Sequence, residues 1–104
     1  MNKVISATEL MERLNKGDAP MLLDVREKIE YHTYNIGGTN IPLGTLQEYI
    51  DELDDNKSDE IVVICKAGLR SRTAQQILQA QGFSNVKNLT GGLTAIQKLH
   101  QPTK

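Results

Sequence analysis

The chain has 104 residues, of which 12 are basic and 13 acidic, a net charge of -1, and 38% apolar residues. That size fits one small domain over 1–104, able to bury a core without metals or cross-links, and the charge balance argues against a nucleic-acid partner. The single cysteine excludes an internal disulfide and a Cys-rich zinc site.

No segment approaches the ~20 apolar residues of a membrane span. The opening MNKVISATEL lacks the apolar stretch of a signal peptide. A soluble cytoplasmic protein with no membrane partner is therefore expected, and a reducing compartment suits a lone working thiol.

Val4-Ile5 reads as a short edge strand. Ser6 and Glu9 have the spacing of a capping box, and Ala7, Leu10, Met11 and Leu14 follow at helical spacing to a stop at Gly17. MLLDV, 21–25, is a short apolar run broken by Asp24 and predicts a buried strand. A short helix is expected over 27–34, then loop over 35–43 with one short strand at Thr39–Ile41, because Pro42 has no N–H for a ladder. Thr45 and Glu48 suggest a second capping box, with Leu46, Tyr49, Ile50 and Leu53 along one helix face as core. DDNKSDE, 54–60, is a polar turn.

IVVIC, 61–65, is β-branched and apolar throughout, as in a strand covered on both faces. A helix is expected over 71–81, with Ala74, Ile77 and Leu78 inward and Gly82 as its stop. NVKNL, 85–89, is a last strand. Gly91-Gly92 turns into a final helix over 93–100, with Pro102 beyond it. Strands alternating with helices predict an α/β fold, a parallel sheet with helices on both faces. Such sheets bind ligands outside the carboxyl ends of their strands. Asp24 and Cys65 both fall there.

Cys65 opens the stretch CKAGLRSR. A strand, a tight loop and a helix start make an anion site, because loop amides converge and the helix dipole adds partial positive charge. Gly68 permits a backbone turn that a Cβ would resist, and Lys66, Arg70 and Arg72 add full charges. A free thiol has a pKa of about 8.5, and comparable positions bring it to roughly 3.5–7.5. The thiolate is the nucleophile, so this placement favours reactivity. The opposing expectation is that a free cysteine behaves as a small buried hydrophobe.

These residues carry a resemblance to the single-domain rhodanese-like (sulfurtransferase) family. LLDVRE at 22–27 resembles its Asp-Val-Arg motif, and Glu30-Tyr31 and NIP at 40–42 resemble the segment that follows. CKAGLRS at 65–71 is similar to its active loop, and GFSNVKNLTGG at 82–92 to its closing strand and turn. The resemblance implies a small open sandwich with a central parallel sheet of about five strands. It implies sulfur transfer by a ping-pong route. Cys65 takes a sulfane sulfur from a small anionic donor (thiosulfate, a polysulfide or a glutathione persulfide) and holds it as a persulfide. A thiol, small or on a partner protein, or cyanide then accepts it. Lys66, Ala67, Gly68, Leu69, Arg70 and Ser71 would bind the donor, with Asp24, Arg26 and Arg72 in support. No metal or organic cofactor is implied.

Two departures from the family stand out. Asn35 stands where a histidine is usual, in a segment one residue short, which bears on acceptor preference. Leu93 and Ile96 replace two tryptophans and are expected to fill their space.

Two other functions compete with this reading. Related folds bind phosphate or arsenate with a loop of Cys, five residues, Arg. Here Arg70 closes a loop one residue shorter, and Ser71 occupies the phosphatase position. The other is a non-enzymatic sulfur-carrier or regulatory module on the same fold. Asp24 and Arg26 are expected to form a paired network under the loop, since buried charges are paired. Glu30 is read as structural, and His32 and His100 as surface residues.

Overall fold

The computed structural model describes residues 3–53 and 57–100. Five strands and five helices alternate: β1 (Val4–Ile5), α1 (Ala7–Asn15), β2 (Met21–Asp24), α2 (Lys28–Thr33), β3 (Thr39–Asn40), α3 (Leu46–Leu53), β4 (Ile61–Ile64), α4 (Leu69–Ala80), β5 (Val86–Leu89) and α5 (Gly92–Leu99). The sheet is parallel throughout, in the order β1-β5-β4-β2-β3. The central strand is therefore β4, the most apolar run of the chain.

Period-two alternation on β4 divides the core. Ile61, Val63 and Cys65 face one layer with Leu46, Ile50 and Leu53 of α3 and Ala74 and Leu78 of α4. Val62 and Ile64 face the other, with Leu10 of α1 and Leu93 and Ile96 of α5. Complete burial of such a side chain contributes about 1.5–3 kcal/mol, so β4 alone anchors both layers. Leu93 and Ile96 are buried, filling the space expected of them. The α2 helix buries no residue and lies outside this packing.

Several boundaries differ from expectation for identifiable reasons. Ser6 Oγ accepts the Glu9 N–H at 3.0 Å, the forward half of a capping box. A reciprocal bond occurs at α2, where Glu27 N–H donates to Glu30 Oε1 at 2.9 Å. Thr45 does not start a helix by capping: it closes a 3-10 turn, Leu43–Thr45, and its hydroxyl donates to the Pro42 carbonyl at 3.1 Å. Tyr49 is 42% exposed rather than core. The helix expected from 71 begins at Leu69, because Gly68 adopts φ +99° and serves as its N-cap. The polar turn at 54–60 and Pro102 lie partly or wholly outside the described residues. Among the described residues, no helix is long and apolar enough to cross a membrane.

Candidate active site

Cys65 is the first residue beyond β4, and β4 places it at the carboxyl edge of the sheet. The left-handed turn at Gly68 brings its N–H back to Cys65 Sγ at 3.0 Å. Ser71, in the first turn of α4, places Oγ 3.2 Å from the same sulfur. The sulfur thus sits at the amino end of a twelve-residue helix, where unpaired N–H groups and the helix dipole favour negative charge. Burial pushes the Cys65 thiol pKa up most strongly. The Ser71 hydroxyl and the N–H groups of Ser71, Gly68 and Ala67 together outweigh it, so the net direction is downward.

The loop is braced from behind by α5. Leu93 N–H donates to the Cys65 carbonyl and Thr94 N–H to the Lys66 carbonyl, both at 2.9 Å. This approach requires Gly92: at φ +60°, a Cβ there would lie 2.5 Å from both of those carbonyl oxygens.

The charged residues divide into two groups. Asp24 and Arg26 are buried and form an ion pair with an Oδ2–Nη2 distance of 2.8 Å. Arg26 also donates to the Tyr34 carbonyl at 2.7 Å, so the pair ties the end of β2 to the end of α2. The two are paired, as expected, and the further bonds of the Arg26 side chain run to the Glu30 and Tyr34 carbonyls. Arg70, in contrast, turns to Glu30 of α2 with bonds of 2.7 and 2.9 Å. The Arg70 hydrogen bonds hold the Glu30 carboxyl down at about 2. Lys66 and Arg72 are exposed cations with no carboxylate partner among the described residues. Ala67 and Leu69 are exposed and contribute backbone, and Leu69 projects its side chain into solvent.

Asn35 donates from Nδ2 to the Tyr31 carbonyl and accepts the Gly37 N–H, both at 2.9 Å. It closes the turn after α2. His32 and His100 are exposed. An open cavity of about 290 Å³ is bordered by Lys66, Glu30 and Arg26. A larger one of about 470 Å³, between Met21, Pro42 and Tyr49, includes none of residues 65–71. The first is the one adjoining the thiol loop. Among the described residues, no cluster of three or more His, Cys, Asp or Glu side chains is arranged to hold a metal.

Two neighbours of the site lie beyond what local spacing indicates. Glu30 meets Arg70 from forty positions away. Asn88 of β5 is buried, accepts the Ser71 hydroxyl at Oδ1 and donates from Nδ2 to the Gly68 carbonyl at 3.1 Å. Its signal was a polar residue in phase with buried Val86 on an interior strand.

The geometry agrees with the comparisons. The Rhodanese-like domain family matches residues 6–99. The chain is 35% identical over 104 residues to the thiosulfate sulfurtransferase GlpE of Coxiella burnetii, covering 99% of this chain and 94% of that protein. It is 37% identical over 90 residues to the putative sulfur carrier protein YrkF of Bacillus subtilis. That match covers 86% of this chain but only 48% of YrkF, so the chain spans about half the length of that relative. The solution structure of the rhodanese-like domain of Alr3790 from Anabaena superposes with a TM-score of 0.84 at 29% identity, covering 100% of this chain and 80% of that one. With a family model matched over residues 6–99, a relative matched nearly end to end and a parallel five-stranded sheet, the chain belongs to the rhodanese-like domain family.

Proposed function

We propose that the protein is a sulfurtransferase in which Cys65 carries the sulfur. The observation that carries this reading is the single thiol at the focus of Gly68 N–H, Ser71 and the start of α4. The same family includes a thiosulfate sulfurtransferase that matches nearly end to end.

The Cys65 thiolate attacks the outer sulfur of a donor such as thiosulfate. The Sγ–S bond forms, the donor's S–S bond breaks, and sulfite leaves with the electron pair. Cys65 then holds a persulfide with its charge on the outer sulfur. An acceptor thiolate attacks that sulfur, takes it as a new persulfide and returns Cys65 to the thiolate. The N–H groups of the loop over 67–71 stabilise the anionic sulfur where it develops, as fixed donors do best in a dry site. Lys66 and Arg72 draw the anionic donor to the rim, and Arg70 acts through its balance with Glu30. The short loop suits a sulfur atom better than a tetrahedral phosphoryl group.

Intact mass spectrometry tests the reading. After exposure to thiosulfate, a polysulfide or glutathione persulfide, the protein gains one sulfur atom and loses it to added thiol. The Cys65→Ser protein does neither, because a hydroxyl holds no sulfane sulfur at neutral pH. A wild-type protein that gains no sulfur from any of the three donors overturns it.

A further inference from the structure

The Ser71 hydroxyl has one proton and two neighbours that want it. Asn88 decides between them. The Gly68 carbonyl only accepts hydrogen bonds, so the Asn88 amide must turn its nitrogen toward it. That leaves Oδ1, which carries no proton, facing Ser71 Oγ. The Ser71 hydroxyl therefore donates to Asn88 and offers Cys65 a lone pair. Toward that lone pair, 3.2 Å away, a protonated Cys65 sulfur can donate; the Ser71 hydroxyl supports a thiolate only by turning its proton away from Asn88. Cys65, Ser71 and Asn88 are all at most 5% exposed, so water does not make up the missing bond.

We propose that Asn88 is a positioning residue of the cysteine site: by holding the Ser71 proton it favours a neutral Cys65 sulfur and directs anionic charge outward. Both the resting thiol and the persulfide have a neutral Sγ. In the persulfide the charge lies one bond further out, toward the backbone N–H groups. When the thiol loses its proton to solvent, Ser71 must either leave Asn88 Oδ1 without a donor or leave the thiolate facing an oxygen lone pair. The backbone N–H groups still favour a thiolate at Cys65, but this network withholds the Ser71 proton from it, so the thiolate gains less than it would beside a free hydroxyl.

The charged groups around Cys65 are Arg70 of α4 with its partner Glu30 of α2, the Asp24–Arg26 pair at the end of β2, and exposed Lys66 and Arg72. Asn88 and Ser71 are themselves uncharged, so their coupling is separable from all of these.

The inference rests on the reading of Cys65 as the sulfur carrier, but its test needs no sulfur transfer. The pH dependence of iodoacetamide alkylation reports the thiolate directly. It is measured for wild type, Asn88→Ala, Ser71→Ala and the double variant. Removing Asn88 while Ser71 is present frees the hydroxyl to donate to the thiolate. The alkylation midpoint should fall by about one pH unit relative to the same change made without Ser71, a tenfold gain in thiolate on the acid side. A merely structural Asn88 lowers the melting temperature but shifts the midpoint equally in both backgrounds, which overturns the proposal. A measurement independent of any Asn88 variant is the S–H stretching band of the thiol at low pH. It should lie lower in wild type than in Ser71→Ala, because wild-type S–H donates to Ser71. Equal bands overturn the proposal as well.

Discussion

The Glu30–Arg70 pair makes a prediction in which charge and geometry separate. Its side chains are 31% and 36% exposed and joined by two bonds, so at a distance the pair carries no net charge. Arg70→Ala leaves a bare carboxylate near the loop. Glu30→Gln leaves a bare guanidinium, and retains an oxygen for the Glu27 N–H. The double variant is neutral again. At roughly 8 Å in water, a unit charge and a dianion interact by about 1 kcal/mol, and by about half that after screening at 0.1 M salt. That energy corresponds to about a two- to fivefold change in kcat/KM.

Glu30→Gln should therefore raise kcat/KM for thiosulfate by that factor and Arg70→Ala should lower it by the same. The double variant should return near wild type, and the rate with a neutral organic persulfide donor should stay within about twofold. High salt should shrink both single effects. The assay is steady-state sulfur transfer to a thiol acceptor with each donor. If Glu30→Gln also lowers the thiosulfate rate, the pair braces α2 against α4 and its charge balance is irrelevant. If Arg70→Ala costs far more than fivefold and the double variant does not recover, Arg70 touches the donor and the long-range argument fails.

Three further outcomes are expected. Cys65→Ser should keep the native circular dichroism spectrum and thermal melt yet retain at most a few per cent of transfer activity, about the residue left by loss of a covalent nucleophile. Glu60 accepts from Arg13 at 2.7 Å and from Lys87 at 2.6 Å, and the Arg13 bonds above all hold its carboxyl at about 2. Because the folded value lies below the unfolded one, this stability is present above about pH 4.3 and lost as pH falls toward 2, in all about 1–3 kcal/mol. Urea midpoints across that range should show a shallower acid loss in Glu60→Gln than in wild type; identical slopes would refute it. Gly92→Ala should cost about 3 kcal/mol or more and weaken transfer, since its Cβ would strike two loop carbonyls. Gly17→Ala, at φ +76° with open space around it, should cost about 1 kcal/mol and leave transfer intact. Equal melting temperatures for the two glycine variants would show that α5 does not rest on the loop as described.

Elements with a local cause are legible in the order of residues alone. The apolar β-branched run at 61–64 must be a central strand because both its faces are buried, and a cysteine following it must lie at the sheet's carboxyl edge. The motif order around Asp24, Cys65 and Gly91-Gly92 carried the family, since each motif is a short backbone requirement. Tertiary structure alone decided which distant side chains meet. Arg70 finds Glu30 forty residues away because α2 and α4 follow the carboxyl ends of β2 and β4, which pair in the sheet. Asn88 meets Ser71 and Gly68 because β5 pairs with β4 in the register Val63 opposite Asn88, which sets its side chain on the Cys65 face. Slipping that register by one residue would turn Asn88 to the other face. The start of α4 at Leu69 likewise depends on the Gly68 turn, which brings Leu69 and Arg70 into the helix ahead of Ser71. Side-chain partnerships across a parallel sheet depend on register and crossover, and no window of neighbouring residues contains either.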